Sequence, residues 1–300
     1  MALFQTYETV GIREDISDII SNISPTKTPF QSAIGNEKVT QTVFQWQEDS
    51  LRAVAAAPVL EGADGADVTV NPTVMRSNTT QIFAETVKVS GTLDATSTYG
   101  RARESAYQLA KSSAQLKRDL ENAFVGTAQA KVSGADATAR QLAGFQTQVD
   151  TGNNIYTGGT STAPTEANLL TALQYVYTAG ADPTVIQVTP ANSLVVAAFA
   201  AASGRTRFFG VTDKTVTNVV NLYVSPFGEQ KVQLNRFLKA AETLIYDPSM
   251  WSKVTLRPWF RETLAKTGDS LKQMIIGEFS LKHKNAKASA QIIEAVSSGF

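Results

Sequence analysis

The chain of 300 residues contains no cysteine and a single histidine, His283. The absence of cysteine excludes disulfides, thiolate nucleophiles and cysteine-bound zinc. The histidine lies between Lys282 and Lys284, and neighbouring cations disfavour a base that must hold a proton. We therefore predict that His283 is a surface residue of a strand and that Ser–His catalysis is not used.

Charge is also scarce. Charged residues make up 18% of the chain, against about 25% in typical soluble domains. A surface short of charge is typical of a protein whose surface is covered by partners. No run approaches 18 apolar residues, so the sequence predicts no membrane-spanning helix, and the N-terminus lacks the pattern of a signal peptide.

No group of residues predicts a catalytic, cofactor or metal site. The phosphate-binding patterns GxxxxGK[ST] and GxGxxG are missing. Three acids, Glu61, Asp64 and Asp67, lie close together, but an EF-hand loop starting at Asp64 would place Met75 where a bidentate glutamate is required. The sequence therefore predicts a protein that is not an enzyme. A hydrolase with an unrecognised carboxylate site is the alternative left open.

The strongest pattern in the chain is a helical one. Apolar or small residues recur at steps of three and four from Tyr99 to Ala123, which predicts an amphipathic helix over residues 99–125, about 40 Å long. We expect Thr96, Ser97 or Thr98 to cap its start and Gly126 to end it in a left-handed turn. The stripe is expected to be buried on the subunit's own sheet through Leu109, Leu116 and Leu120.

The residues before this helix predict an arm and a hairpin. Isoleucines from Ile12 to Ile23 indicate a short helix that runs into a segment pinned by Pro25 and Pro29. Alternating residues predict strands over 39–51 and 79–89, separated by a flexible insert of about 25 residues. The two strands are expected to pair as one long hairpin.

The rest of the chain divides in two. Residues 164–234 alternate predicted helices and strands, which favours an α/β unit. Residues 235–300 are predicted to be mostly strand. The charge distribution changes at a different point, near residue 100. Residues 1–100 hold 6 basic and 12 acidic side chains, whereas residues 101–300 hold 21 basic and 15 acidic ones. The acidic part is expected to lie on a basic surface of its own or of a neighbouring copy.

Seven stretches over nearly the whole chain carry a family likeness. They are REDISDIISNISPTKTPFQSAIG at 13–35, FQWQEDSL at 44–51, EG at 61–62, RSNTTQIFAETVKVSGT at 76–92, KRDLENA at 117–123, LRPWFRETLAKTGDSLKQMIIGEFSL at 256–281 and KNAKA at 284–288. In their order and spacing the chain resembles the major capsid (head) proteins of tailed bacteriophages with the Hong Kong-phage-type fold. More narrowly, it resembles a podovirus-like head-protein family. Ser225-Pro226-Phe227-Gly228 departs from that pattern, because an aspartate is expected before Phe-Gly.

The resemblance implies an α+β capsid fold and a division of the chain. Residues 1–35 would be the N-terminal arm and 36–91 the extended loop. Residues 92–163 and 235–300 would form the peripheral domain, with residues 99–125 as its spine helix, and 164–234 the axial domain.

The resemblance also implies a function. Hexamers and pentamers of the chain would build an icosahedral virion head around non-specifically bound double-stranded DNA. Assembly would take place in the host cytoplasm, with separate scaffolding and portal proteins and a possible decoration protein. An encapsulin-like nanocompartment shell is the alternative. Some shells of this fold join subunits by isopeptide bonds from an extended-loop lysine, but no lysine occurs between Lys38 and Lys88, so a non-covalent shell is predicted.

Overall fold

The computed structural model describes residues 24–52, 54, 58–65, 67, 70–96, 98, 103–157, 163–202 and 222–294. The predicted arm helix over 12–23 lies outside these residues, as do residues 203–221 of the predicted α/β unit. The α-helices are α1 (Pro29–Ala33), α2 (Gly91–Ala95), α3 (Glu104–Val125), α4 (Phe145–Gln148), α5 (Glu166–Thr178) and α6 (Pro190–Ala202). The strands are β1 (Gly35–Lys38), β2 (Val43–Glu48), β3 (Val74–Thr79), β4 (Gln81–Ser90), β5 (Asn154–Thr157), β6 (Val185–Val188), β7 (Leu222–Ser225), β8 (Gly228–Leu234), β9 (Thr243–Tyr246), β10 (Trp251–Thr263), β11 (Ser270–His283) and β12 (Ser289–Glu294).

The predicted long helix is α3, and it is shorter at its start than expected. Arg103 is extended, with φ of −141° and ψ of 130°, so α3 begins at Glu104 and the predicted helix does not continue through residue 103. Residues 99–102 lie outside the described part of the chain. The helix ends at Val125 as predicted, but the left-handed turn expected at Gly126 is wrong, because this residue has φ of −98° and ψ of −28°, which is right-handed. The C-terminal half of the helix carries the buried residues Leu116, Leu120 and Phe124.

A four-stranded sheet with the order β1-β10-β11-β4 supports α3. Its long pair, β10 and β11, is antiparallel and shifts register between Thr255 and Phe260. One hydrophobic core fills the space between this sheet and the C-terminal half of α3, with Phe30, Phe145 and Trp251 at its centre.

The predicted hairpin exists, but its strands pair differently. β2 pairs with β3 from Val43 opposite Thr79 to Glu48 opposite Val74. The predicted partner, residues 79–89, forms β4 instead, which pairs with β11 in the four-stranded sheet. One continuous β-rich run therefore contains two strands that turn into different sheets at Thr80. The predicted strand began at Thr79 and therefore missed all but the last residue of β3.

A second sheet of six strands has the order β5-β12-β9-β6-β8-β7. Its side chains alternate between two cores, since Val185 and Leu244 join the core under α3 whereas Ile186 and Ile245 pack with α5. Thr165 caps α5 by accepting a hydrogen bond from the Asn168 amide. Strands β5, β9 and β12, predicted to lie in the peripheral domain, belong to this sheet instead. β9 pairs with β6 of the predicted axial domain, and β12 lies between β9 and β5.

Candidate assembly surfaces

The β2–β3 hairpin carries apolar side chains that nothing in its own subunit covers among the described residues. Cross-strand pairing is reinforced by Arg76, whose Nε donates to Glu48 Oε2 at 3.0 Å. Beyond the paired strands, Leu51, Leu60 and Val70 are 97%, 83% and 84% exposed. Exposed apolar groups gathered on one extended segment mark a surface for a partner.

Hydrogen bonds fix both ends of the paired strands to the body, the base at Asn78 and the far end at Glu48. The Ala286 amide donates to Glu48 Oε1 at 3.0 Å. Asn78 is fully buried, and its side-chain amide donates to the Leu281 carbonyl at 2.6 Å while its Oδ1 accepts from the Ala143 amide at 2.8 Å. Because a buried amide that loses its partners costs about 1–3 kcal/mol, this contact holds the hairpin in one orientation.

A buried charge cluster adjoins the same base. Glu278, whose side chain is 3% exposed, accepts from Arg140 Nη2 at 2.6 Å and Arg257 Nε at 3.1 Å. The Thr80 hydroxyl, at the break between β3 and β4, donates to Glu278 Oε1 at 2.6 Å. Two guanidinium groups and a hydroxyl thus donate to the oxygens of this carboxylate, which has a structural role as a hydrogen-bond acceptor. The sequence did not predict this cluster, because Glu278 lies in a strand and its partners are distant along the chain.

An open apolar groove of about 560 Å³ lies between the N-terminal half of α3 and the far ends of β10 and β11. Leu109, Trp259 and Ile275 line it, and Arg103 and Arg261 stand among its lining residues. The predicted buried stripe is therefore only partly right. Leu116 and Leu120 are buried and Leu109 half-buried, but Ala106 and Ser113 are exposed because the strands do not cover this end of the helix.

The end of the predicted arm is part of the core. Phe30 is fully buried and meets four aromatic rings, with centroid separations between 5.3 and 6.2 Å. Residues 29–34 are therefore a folded root rather than free arm. The aromatic rings around Phe30 are Phe124, Phe145, Tyr246 and Trp251.

The prediction for His283 is wrong, because the side chain is 1% exposed. Its ring stacks on Trp251, directly opposite in the β10–β11 register, with centroids 3.9 Å apart. Its Nε2 lies 3.0 Å from the Ser289 hydroxyl, which also accepts from Trp251 Nε1 at 2.9 Å. Burial lowers the pKa of His283 from 6.5 to about 3, the Gln148 hydrogen bond opposing this and the Arg76 charge adding to it. The flanking lysines suggested a surface, whereas the C-terminal end of β11 is covered on both faces.

Neutral His283 makes stability depend on pH. A lowered folded pKa gives a contribution that is present above 6.5 and is lost as pH falls through 6.5 toward about 3, because the unfolded chain takes up the proton first. From pH 7 to pH 5 the wild type should lose about 2 kcal/mol relative to His283→Gln. Denaturant unfolding of both proteins at the two pH values measures this difference.

The comparison with His283→Gln cancels the contributions that other titrating groups make to the pH dependence of stability. Burial raises the pKa values of Glu121 and Glu242, so their contributions grow as pH falls and have the opposite sign. Both carboxyls are present in both proteins and cancel in the difference. A difference that stays constant from pH 7 to pH 5 would show that His283 is solvated.

Two further features bear on the kind of site. Within the described ranges, no three histidine, cysteine or acidic side chains come together in a way that could hold a metal ion. No helix among the described residues is long and apolar enough to span a membrane.

A long helix on a four-stranded sheet, an extended hairpin and a second sheet with its own helices together make the α+β Hong Kong-phage-type capsid fold. Two solved structures share it across nearly the whole chain. The capsid of the native GTA particle gives a TM-score of 0.66 at 12% identity and covers 98% of this chain and 100% of its own. The SrpI encapsulin of Synechococcus elongatus PCC 7942 also gives 0.66, at 10% identity, covering 98% and 96%.

Sequence comparison identifies the family. Residues 3–296 match the SU10 major capsid protein family, and the chain belongs to it. The chain is also similar to the major capsid protein of Escherichia phage Phieco32, at 31% identity over 342 aligned residues that cover 98% of this chain and 97% of the relative. The predicted family and fold are confirmed. This is a phage major capsid protein, in a family of structural proteins rather than enzymes.

Proposed function

We propose that copies of this chain assemble as hexamers and pentamers into an icosahedral head that encloses double-stranded DNA. The observation that carries the proposal is the hairpin, since its exposed Leu51, Leu60 and Val70 are held away from the subunit's own cores. Such a segment is stabilised when a neighbouring copy covers it. Assembly in the host cytoplasm with separate scaffolding and portal proteins, with or without a decoration protein, belongs to the same proposal.

The two sheets suggest how the subunit is divided. We propose that the four-stranded sheet and α3 form the peripheral unit, and that the six-stranded sheet with α5 and α6 forms the axial unit. The axial unit then includes residues 154–157, 243–246 and 289–294, whose strands pair with the rest of that sheet. The extended loop is confined to residues 39–80, because β1 and β4 belong to the four-stranded sheet.

An encapsulin-like compartment is the second candidate, favoured by the structural likeness to the SrpI encapsulin. The family match favours the phage head. The two are separated by the contents of particles purified from infected cells. Nuclease-protected double-stranded DNA of uniform length supports the head, and a stoichiometric protein cargo without DNA would contradict it.

The shell is proposed to be held by non-covalent contacts and to carry no enzymatic activity. Lys38 lies on β1 and Lys88 on β4, opposite Lys272, so both belong to the four-stranded sheet and not to the hairpin. The hairpin's cations are Arg52 and Arg76, and a guanidinium is not a nucleophile at physiological pH. Glu278, the buried carboxylate near the hairpin base, is ion-paired to two arginines.

Boiled particles should therefore run on a denaturing gel as one band near the chain mass of 32.2 kDa. Isopeptide bonds survive boiling, so a covalently joined shell would give a ladder of dimers and larger rings. Such a ladder would contradict the proposal. Mass spectrometry of its peptides would then show whether Lys38 or Lys88 is the joined residue.

A further inference from the structure

The root of the arm is held by a carboxylate from a distant part of the chain. Helix α1 has five residues and Thr28 at its N-cap, but the Thr28 side chain makes no capping hydrogen bond within the described residues. The amides of Phe30 and Gln31 donate instead to the two oxygens of Glu121, at 2.8 and 3.0 Å. Glu121 lies in α3 and is 0% exposed.

The same carboxylate joins the six-stranded sheet. Asn235, directly after β8, donates from Nδ2 to Glu121 Oε1 at 2.8 Å and contacts Gln187 Oε1 of β6 at 3.3 Å. One buried side chain therefore receives three N–H groups from two separate segments while it belongs to a third. The arm root, the long helix and the second sheet meet at Glu121.

The donors that face Glu121 are all neutral. Burial of its carboxylate therefore costs free energy unless every one of these donors makes its hydrogen bond. Burial raises the pKa of Glu121, and the hydrogen bonds from Gln31, Phe30 and Asn235 oppose that rise. Two titratable groups lie nearby. The pKa of Tyr246 is raised by burial and by the charge of Glu121. Lys117 contributes its backbone carbonyl, which accepts from the Gln31 side chain at 2.9 Å. A buried acceptor with several directed donors fixes geometry more sharply than apolar packing does.

We propose that Glu121 is a latch for the arm: its carboxylate holds residues 24–34 on the long helix, and its removal frees that segment while both sheets remain folded. Phe30 contributes apolar packing in the core, and Glu121 fixes the orientation of α1 by accepting hydrogen bonds from the amides of its first turn. Because Asn235 shares Glu121 Oε1 with the Phe30 amide, the state of the arm root is also linked to the end of β8 in the second sheet. The latch is internal to one subunit and does not depend on the proposed shell.

Hydrogen exchange with mass spectrometry on the full-length protein tests the latch. In Glu121→Gln, the amide nitrogen of the new side chain faces a backbone donor, so at least one of the three hydrogen bonds is lost. Peptides covering residues 24–34 should exchange about tenfold faster or more, as expected for loss of a buried charged acceptor. Peptides from β10 and β11 should exchange at the wild-type rate.

Glu242→Gln is the matched control. Glu242 is also buried with a raised pKa and accepts from Gln146 Nε2 at 2.7 Å, but its side-chain partners among the described residues, Gln146 and Lys239, are not part of the arm root. This variant should leave residues 24–34 protected. Trypsin provides a second readout, because the exposed Lys27 lies in the segment that Glu121 holds. Cleavage after Lys27 should accelerate only in the Glu121 variant.

Two results would overturn the proposal. Unchanged exchange over residues 24–34 in Glu121→Gln would show that Phe30 alone holds the root. Equal acceleration in the root and in β10 and β11 would show that Glu121 contributes to global stability only. Should Glu121→Gln fail to fold, Glu121→Asp keeps the charge and withdraws it by one methylene, and the same two patterns decide the outcome.

Discussion

Replacing Leu116 with alanine is expected to lower the free energy of unfolding by about 2–5 kcal/mol, the usual cost of a cavity at a buried leucine. Leu116 is 4% exposed and packs in the core between α3 and the four-stranded sheet. A loss of this size is a large part of the 5–15 kcal/mol that stabilises a typical domain. Soluble yield should fall before any defect in assembly is seen, and denaturant unfolding of the purified protein measures the loss directly.

Ser113→Ala is the control for that experiment. Ser113 lies one helical turn earlier on the same predicted stripe but is exposed, and its hydroxyl bonds only to the Ala110 carbonyl of its own helix among the described contacts. Alanine has the higher helix propensity, so the change should be within about 0.5 kcal/mol of zero. A stable Leu116→Ala subunit that fails only to assemble would place the stripe at an interface between subunits.

Replacing residues 49–73 with a two-residue Asn-Gly turn is expected to abolish closed shells while the subunit stays folded. Glu48 pairs with Val74, so a two-residue turn joins the strands at their existing register. The contacts that hold the base of the hairpin, through Asn78 and Thr80, are outside the excised segment. Thermal unfolding should therefore change little, and electron microscopy should show unassembled subunits.

A linker of glycine and serine with the length of residues 49–73 is the matched control. It keeps the reach of the hairpin but removes Leu51, Leu60 and Val70. If these apolar residues make the contact, the linker variant should also fail to form closed shells. Normal shells from the short-turn variant would contradict the proposed role of the hairpin in assembly.

The sequence was most informative where one pattern ran without interruption. The step of three and four residues located α3, and its leucines Leu116 and Leu120 are buried as predicted. The start of the helix was not predictable, because the polar residues before it give several equivalent caps and Arg103 takes an extended conformation. The stripe alone could not show that the sheet ends before it covers Ala106.

Contacts between distant segments were the least predictable. The strand predicted over residues 79–89 spans the end of β3 and most of β4, and only the pairing partners separate the two. Glu121 and Glu278 receive donors up to about 200 residues away in sequence, and neither belongs to a local motif. His283 was placed on the surface because its neighbours are lysines, but the opposing Trp251 and Ser289 bury it. The resemblance over seven stretches identified the fold because it draws on the order of the segments along the whole chain.

Electron microscopy of the full-length protein after expression tests the central claim most directly. The account predicts closed particles built of hexamers and pentamers, in which density for the β2–β3 hairpin of each subunit lies against a neighbouring copy. Monomers or small oligomers that stay dispersed at high concentration, even with the phage's own assembly proteins present, would contradict it.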